Sequence, residues 1–208
     1  MCLKERSKFM IELFKAEPRI MIAIPSLDYV SSMFVEALTK LQKEALSTGL
    51  DVTIEYDRGT LVHLAREHLA KRAVEDKYTH VLWLDADMIF PPTTLNDLLQ
   101  RNESFITGIY CQRRSPFDYV LFKDSKTWDR VTEIPDEPFE IAGCGFGCVL
   151  TATKILEESL ELFNTCFKPI AGLGEDLCFC RRVSDLHYTM FADPRIRCGH
   201  ISQSIITS

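Results

Sequence analysis

The stretch Thr79-His80-Val81-Leu82-Trp83-Leu84-Asp85-Ala86-Asp87-Met88 runs from an apolar strand straight into two carboxylates one residue apart. Side chains alternate across a strand, so this spacing predicts that Asp85 and Asp87 leave one face while Ala86 leaves the other. At the carboxyl end of a buried strand, two converging acids repel each other unless a cation or a proton holds them together. A hard divalent cation is the expected partner, because Mg²⁺ and Mn²⁺ prefer carboxylate oxygens and complete their shells with waters and substrate phosphates. Read alone, Asp-x-Asp also describes an ordinary acidic turn.

Three further groups could join such chemistry. Glu175-Asp176 follows Gly172-Leu173-Gly174 at the start of a helical pattern. A helix N-terminus favours anions and lowers a carboxylate's pKa, whereas a neighbouring acid or burial raises it, so one of the two can be tuned to take a proton from a hydroxyl. Gly143-Cys144-Gly145-Phe146-Gly147 is a backbone that glycine lets approach something closely, and it matches neither a Rossmann nor a P-loop fingerprint. His200 stands near the end of the sequence. His63, His68, His80 and His187 read as polar-face or flanking residues without a role.

The elements that position these groups follow from the apolar periods. Strands are predicted at 19–24, 51–56, 81–84, 105–110, 119–122, 188–191 and 195–198. Helices are predicted at 29–46, at 60–77 with Thr60 as the cap and Leu61, Leu64, Ala65, Leu69 and Ala73 inward, at about 91–101, at 153–162 and at 175–185. Leu3, Met10, Leu13 and Phe14 suggest a short amphipathic N-terminal helix. The segment 123–138 is polar and proline-bearing, a surface excursion. Trp83 reads as core. Trp128, with Phe117, Tyr119 and Phe139, reads as core or as an apolar platform for a ring.

With 208 residues, 46% of them apolar and 26% charged, the sequence is most economically one domain with a sizeable core. A net charge of −6 gives no general attraction to nucleic acid or anionic membrane. No run reaches membrane-spanning length and no signal-peptide core is present, which leads to the expectation of a cytoplasmic protein without a membrane span. Eight cysteines without paired CxxC spacing are expected to be buried free thiols rather than disulfides or a zinc site.

The order of a first strand ending at Pro25, a helix holding Arg66, a strand ending in Asp85-Ala86-Asp87, a glycine-rich loop, Gly174-Glu175-Asp176 and a late His200 resembles GT-A-fold glycosyltransferases, particularly family-2-like members. The resemblance covers nearly the whole sequence. It implies an α/β fold, a single Rossmann-like GT-A domain over 1–208 with a mostly parallel central sheet flanked by helices. The nucleotide-binding half would lie at about 18–110 and the acceptor-side half at about 111–208.

The implied activity is metal-dependent transfer of a sugar from a UDP- or GDP-linked donor to a hydroxyl of a glycan, protein or small molecule. Asp85, Asp87 and His200 would hold Mn²⁺ or Mg²⁺. Pro25, Ser26, Asp57, Arg58, Arg66, Asp85 and Ala86 would face the nucleotide, and Gly143, Cys144 and Gly145 the donor sugar. Asp176, beside Glu175, would be the general base if transfer inverts the anomeric centre. The acceptor would rest on the 111–142 segment or on a partner subunit of a homo-oligomer. A nucleotidyltransferase on a similar sheet, or a catalytically silent nucleotide- or carbohydrate-binding module, are the alternatives. The former would normally carry a basic glycine-rich loop where Pro25-Ser26-Leu27-Asp28 stands.

Overall fold

The computed structural model describes residues 18–202 apart from Asp28 and Ala171. The N-terminal helix expected around Leu3 to Phe14 lies outside the described residues.

The sheet grows from the first apolar strand, β1 (Arg19–Ser26), whose Ile20, Met21, Ile22, Ala23 and Ile24 are all buried. β1 is flanked on both sides by parallel partners, β2 (Asp51–Arg58) and β3 (His80–Leu84). β9 (Cys148–Ala152) then enters in the opposite direction between β3 and β5 (Phe105–Ile109). β10 (Met190–Arg197) lies parallel to β5, and the short β7 (Phe139–Ile141) closes the order β2-β1-β3-β9-β5-β10-β7. Five strands point one way, and β9 and β7 are reversed. Two small ladders stand apart, β4 (Met88–Ile89) with β11 (Gly199–His200), and β6 (Leu121–Phe122) with β8 (Gly143–Cys144).

Alternation along the strands splits the core into two layers. Ile20, Ile22, Ile24, Leu82, Leu84, Ile106 and Leu150 pack with α1 (Ser32–Ser47) and α3 (Thr94–Gln100) through Phe34, Leu38, Leu41, Leu95 and Leu98. Met21, Ala23, Val81, Trp83, Phe105 and Val149 face α2 (Val62–Glu75), α4 (Thr153–Phe163) and α5 (Glu175–Asp185). The second layer holds an aromatic cluster in which Trp83 lies 5.0 Å from Phe167 and 6.0 Å from Phe146. The Trp83 indole N–H donates to Thr151 Oγ1 at 3.0 Å, which satisfies its one buried polar group. Trp83 is therefore core, as its apolar setting implied.

Several boundaries differ from the sequence reading. Thr60 does not cap α2; Leu61 precedes it without a side-chain cap bond, and Leu61 and Leu64 are exposed. The inner face is Ala65, Arg66, Leu69, Ala70 and Ala73, where alanines let the helix approach the sheet closely. The strand read at 119–122 shortens to β6 plus a bridge between Cys111 and Tyr119. The pieces at 188–191 and 195–198 fuse into β10, with a register shift between Asp193 and Arg197.

The described cysteines are free thiols, with Cys144, Cys148, Cys166, Cys178 and Cys180 buried and Cys111 and Cys198 half-buried. A thiol reagent is expected to spare the five buried groups in the native protein and to titrate all of them after denaturation without reductant. Fewer thiols in the denatured sample would contradict this packing.

Candidate active site

The carboxyl ends of β1 and β3 open onto a cleft of about 830 Å³ lined by Pro25, Ser26, Asp85, Ala86, Asp87 and Arg113, among others. β3 stops at Leu84, so Asp85 and Asp87 are not strand residues. They sit in a turn closed by the Met88 N–H donating to the Asp85 carbonyl at 3.1 Å. The expected strand alternation is thus corrected, although the turn still presents both acids to one cleft.

Each acid has a different counter-charge. Arg66, only 3% exposed, donates from Nη2 to Asp85 Oδ1 and from Nη1 to Glu175 Oε1, each at 2.6 Å. One guanidinium therefore joins the turn after β3 to the first residue of α5, 109 positions away in sequence. Its fork geometry suits this double role. Burial works against the Arg66 charge, but Asp85, Glu175 and Asp176 outweigh it and raise its pKa. Asp85 is raised by burial, with Arg66 opposing in part. Asp176 is also raised by burial, with Arg66 opposing, and its Oδ1 accepts from the Leu177 N–H at 2.8 Å.

Asp87 faces the other side. Arg113 Nη1 lies 2.8 Å from its Oδ2, and His200 Nε2 lies 3.5 Å from its Oδ1. Burial pushes Asp87 up, but its hydrogen bond to His200 and the nearby cations leave it below the ordinary carboxylate range. His200 is correspondingly raised, first by its hydrogen bond to Asp87.

A two-residue ladder sets this pairing: His200 is opposite Met88, Gly199 is opposite Ile89, and the Ile201 N–H donates to the Asp87 carbonyl at 2.8 Å. His200 Nδ1 meets the Cys111 carbonyl at 3.0 Å, which assigns the proton to Nδ1 and turns Nε2 toward Asp87. Among the described residues, no three His, Cys, Asp or Glu side chains converge closely enough to hold a metal ion as they stand.

The other sequence-derived candidates fall into three groups. Pro25, Ser26, Asp85, Ala86 and Asp87 line the cleft together. Arg66, Glu175 and Asp176 are gathered around one guanidinium but are absent from that lining. Asp57 and Arg58 also stand outside it, and Asp57 is engaged by His68 Nδ1 at 3.1 Å. His68 therefore has a partner that its place on a helix face did not suggest.

The glycine-rich loop needs a correction. Gly143, Cys144 and Gly145 are buried and do not line the cleft. The space left by absent side chains is already filled: a Cβ on Gly145 would meet the Tyr110 hydroxyl at 2.4 Å and Val120 at 2.7 Å, and one on Gly143 would meet the Trp128 ring at 2.8 Å. In this structure the space beside Gly143 and Gly145 is taken by protein side chains. Burial pushes the Cys144 thiol well above its usual value, so it is inert. Gly145→Ala is expected to destabilise the protein by about 1–3 kcal/mol through overpacking, read as a lower denaturant midpoint at unchanged slope. An unchanged midpoint would show that Tyr110 can step aside. Trp128, half-buried, packs over Gly143 against the edge of the core and lies 5.9 Å from Phe122.

Sequence reasoning missed Tyr29, Thr60, Val62, Arg113 and Arg114 in the cleft lining. The signal for the arginines was available, because Arg113-Arg114 follow β5, and ligands gather beyond the carboxyl ends of strands in open α/β sheets.

No protein-family model matches the chain. Among solved structures, A197 from STIV superposes with a TM-score of 0.63 at 20% identity, over 89% of this chain and 86% of that one. GalNAc-T7, crystallised with UDP, GalNAc and Mn²⁺, gives 0.59 at 14% identity over 89% of this chain. The match spans 43% of the GalNAc-T7 chain. The chain has a GT-A-like fold. UDP-glucose pyrophosphorylase in complex with UDP-glucose also matches, with a TM-score of 0.52 at 9% identity over 85% of this chain and 90% of that one. The GT-A-like fold is thus shared with one protein crystallised with UDP, GalNAc and Mn²⁺ and with another crystallised with UDP-glucose. Among the described residues no helix is long and apolar enough to cross a membrane.

Proposed function

We propose that this chain is a metal-dependent glycosyltransferase that moves a sugar from a UDP- or GDP-sugar to a hydroxyl acceptor. The observation that carries the reading is the turn Asp85-Ala86-Asp87, which presents two carboxylates to the cleft beside the end of β1, with His200 brought next to Asp87 by the β4–β11 ladder. Asp85, Asp87 and His200 Nε2 would together supply donors suited to Mn²⁺ after a small convergence of their side chains, with Mg²⁺ favoured less because of the imidazole. The residues suit the ion chemically: with Nδ1 donating to the Cys111 carbonyl, Nε2 is the nitrogen that would ligate once it gives up the proton it shares with Asp87, and each carboxylate has an oxygen that does not face its arginine. When bound, the cation would offset negative charge on a departing diphosphate.

The chain's own residues supply the remainder. Pro25, Ser26 and Ala86 would form the nucleotide wall, and Arg113 and Arg114 would add positive charge at the opposite rim. Arg66 would position Asp85 against Glu175 rather than contact the nucleotide. Glu175, committed to Arg66, would position rather than react. Burial holds the Asp176 carboxyl above its ordinary range, which suits a group that must accept a proton from the acceptor hydroxyl.

Incubation with UDP- and GDP-sugars and Mn²⁺ tests the proposal, with release of the nucleoside diphosphate as the supporting result. A second reading, nucleotidyl transfer, draws on the pyrophosphorylase likeness. Pyrophosphate formation from a nucleoside triphosphate and a sugar phosphate would favour it. Binding without either product would indicate a silent module.

Asp176→Asn is expected to lower transfer by about 10²–10⁴-fold. It is also expected to raise the melting temperature at neutral pH, because the carboxyl's folded pKa lies above its unfolded value and the charged form therefore destabilises the fold above that pKa. Asparagine keeps the oxygen that accepts from Leu177. Retention of anomeric configuration in the product, read by proton NMR, would remove Asp176 from the base role.

A further inference from the structure

A second cavity of about 360 Å³ shares Arg113 and Ser202 with the main cleft. His200 lines this second cavity, yet its Nε2 lies 3.5 Å from Asp87, which lines the first. A group seated in the smaller cavity would therefore stand one imidazole away from the carboxylate turn.

The chemistry of its walls is one-sided. The sequence has 30 acidic residues and a net charge of −6, but among the described residues this cavity's lining contains no carboxylate. Arg197, at the end of β10, is exposed and lacks a carboxylate partner among the described residues. Gln112 accepts at Oε1 from Arg130 Nη2 at 3.1 Å, so its amide nitrogen is the end left to donate. Arg130 also donates to the Tyr119 carbonyl at 2.9 Å and so fixes both residues from below. Phe117 stands 60% exposed at the rim beside Tyr119 and offers a flat apolar face. Arg113 and His200 in the same lining already face Asp87, so Arg197 is the cation left for a ligand; with the Gln112 amide and an aromatic face beside it, it complements a ring that bears an anionic group.

We infer that this cavity is the acceptor subsite and that the acceptor carries a carboxylate or phosphate beside a ring. The assignment of the cavity as an acceptor subsite rests on the transferase reading, whereas its preference for anions stands on the lining alone. Arg197 would fix the anion, Gln112 would donate to it or to a ring oxygen, and the ring would lie against Phe117. This orientation directs a free hydroxyl past His200 toward the cleft.

Three probes with a common aromatic ring separate the possibilities: p-nitrophenyl glucuronide, its size-matched neutral counterpart p-nitrophenyl glucoside, and the smaller p-nitrophenyl phosphate. Binding is read from amide shifts of the ¹⁵N-labelled protein at Gln112, Tyr119 and Cys198. Binding of UDP with Mn²⁺ is read separately at Ser26 and Ala86. At least one anionic probe is expected to bind about tenfold or more tightly than the glucoside, a margin of one charge-assisted contact. Which of the two anions prevails identifies the carboxylate or the phosphate as the natural group.

Arg197→Gln is expected to abolish the preference without altering UDP binding, while Phe117→Ala weakens all three probes. Equal affinity for the three, or a preference that survives Arg197→Gln, overturns the inference. Failure of UDP to bind the native protein would instead overturn the transferase reading and with it the acceptor role, while selectivity for the anionic probes would remain as a property of the cavity.

Discussion

Asp87→Asn is expected to lower sugar-nucleotide turnover by about 10²–10³-fold, the scale of losing one charged electrostatic contact to the leaving group. The same change should lower the melting temperature by no more than roughly 4 °C, since the counter-ion Arg113 is exposed and such pairs contribute about 0–1 kcal/mol. The two readouts together separate chemistry from folding. Asparagine preserves the volume and one oxygen but withdraws the negative charge that a cation would need. Calorimetry adds a direct measure: native protein should bind UDP more tightly with Mn²⁺ than without, and the variant should lose that increment. If the variant turns over normally, or if its UDP affinity keeps the full response to Mn²⁺, the carboxylate turn is not the metal site proposed here.

Arg66→Met should have the largest effect on stability, about 3–5 kcal/mol by analogy with other buried ion pairs broken from one side. For a chain of this size that corresponds to a fall of roughly 6–15 °C in melting temperature. Methionine fills much of the same space, so the loss isolates the charge. Without the guanidinium, Asp85 and Glu175 would face each other with no counter-ion, and Asp176 would add a third charge nearby. Asp85 is already raised by burial while Arg66 opposes that rise, so in the variant its folded pKa must climb further above the unfolded value. The penalty is then fully present above that folded pKa. It is relieved as pH falls through it toward 3.8, because the folded protein takes up the proton more readily than the unfolded chain. The gap between native and variant should therefore narrow on acidification, as chemical denaturation at a series of pH values would reveal. A gap of constant size would mean that Arg66 acts through packing alone, for example over the Phe146 ring 5.4 Å away.

Elements whose burial follows a simple period were legible in the sequence. β1, β3, α4 and α5 emerged within one or two residues because the two strands are short unbroken apolar runs and the two helices repeat their apolar residues every 3.6 positions. The inner face of α2 was misjudged because Leu61 and Leu64 were taken as inward on their apolar character, while Arg66, expected to face the nucleotide, is buried between two acids. A buried arginine held by two distant acids leaves no local trace, since Asp85 and Glu175 lie 19 and 109 residues away. The glycines of 143–147 were readable as a close approach, but not the identity of the approaching group. Tyr110 and Trp128 fill those spaces through contacts that only the folded chain defines. Nor could periodicity give the direction of β9, because a fully buried strand looks alike in either orientation. The meeting of His200 with Asp87 depends on the β4–β11 ladder, whose two-residue strands are too short to carry a pattern.

The reversed β9 has a consequence for how the molecule can be divided. It pairs along the whole of β3, from His80 opposite Ala152 to Leu84 opposite Cys148, and Asp85 donates its N–H to the carbonyl of Gly147 at 3.2 Å. The ribbon of chain from 18 to 110 therefore has an open seam beside Trp83 until residues near 150 arrive to close it. A ribosome that has released only the earlier portion holds an unfinished sheet, and a recombinant fragment ending at 110 should aggregate through that bare edge. The regions before and after residue 110 are stitched into one sheet by β9 and are not modules that can be exchanged.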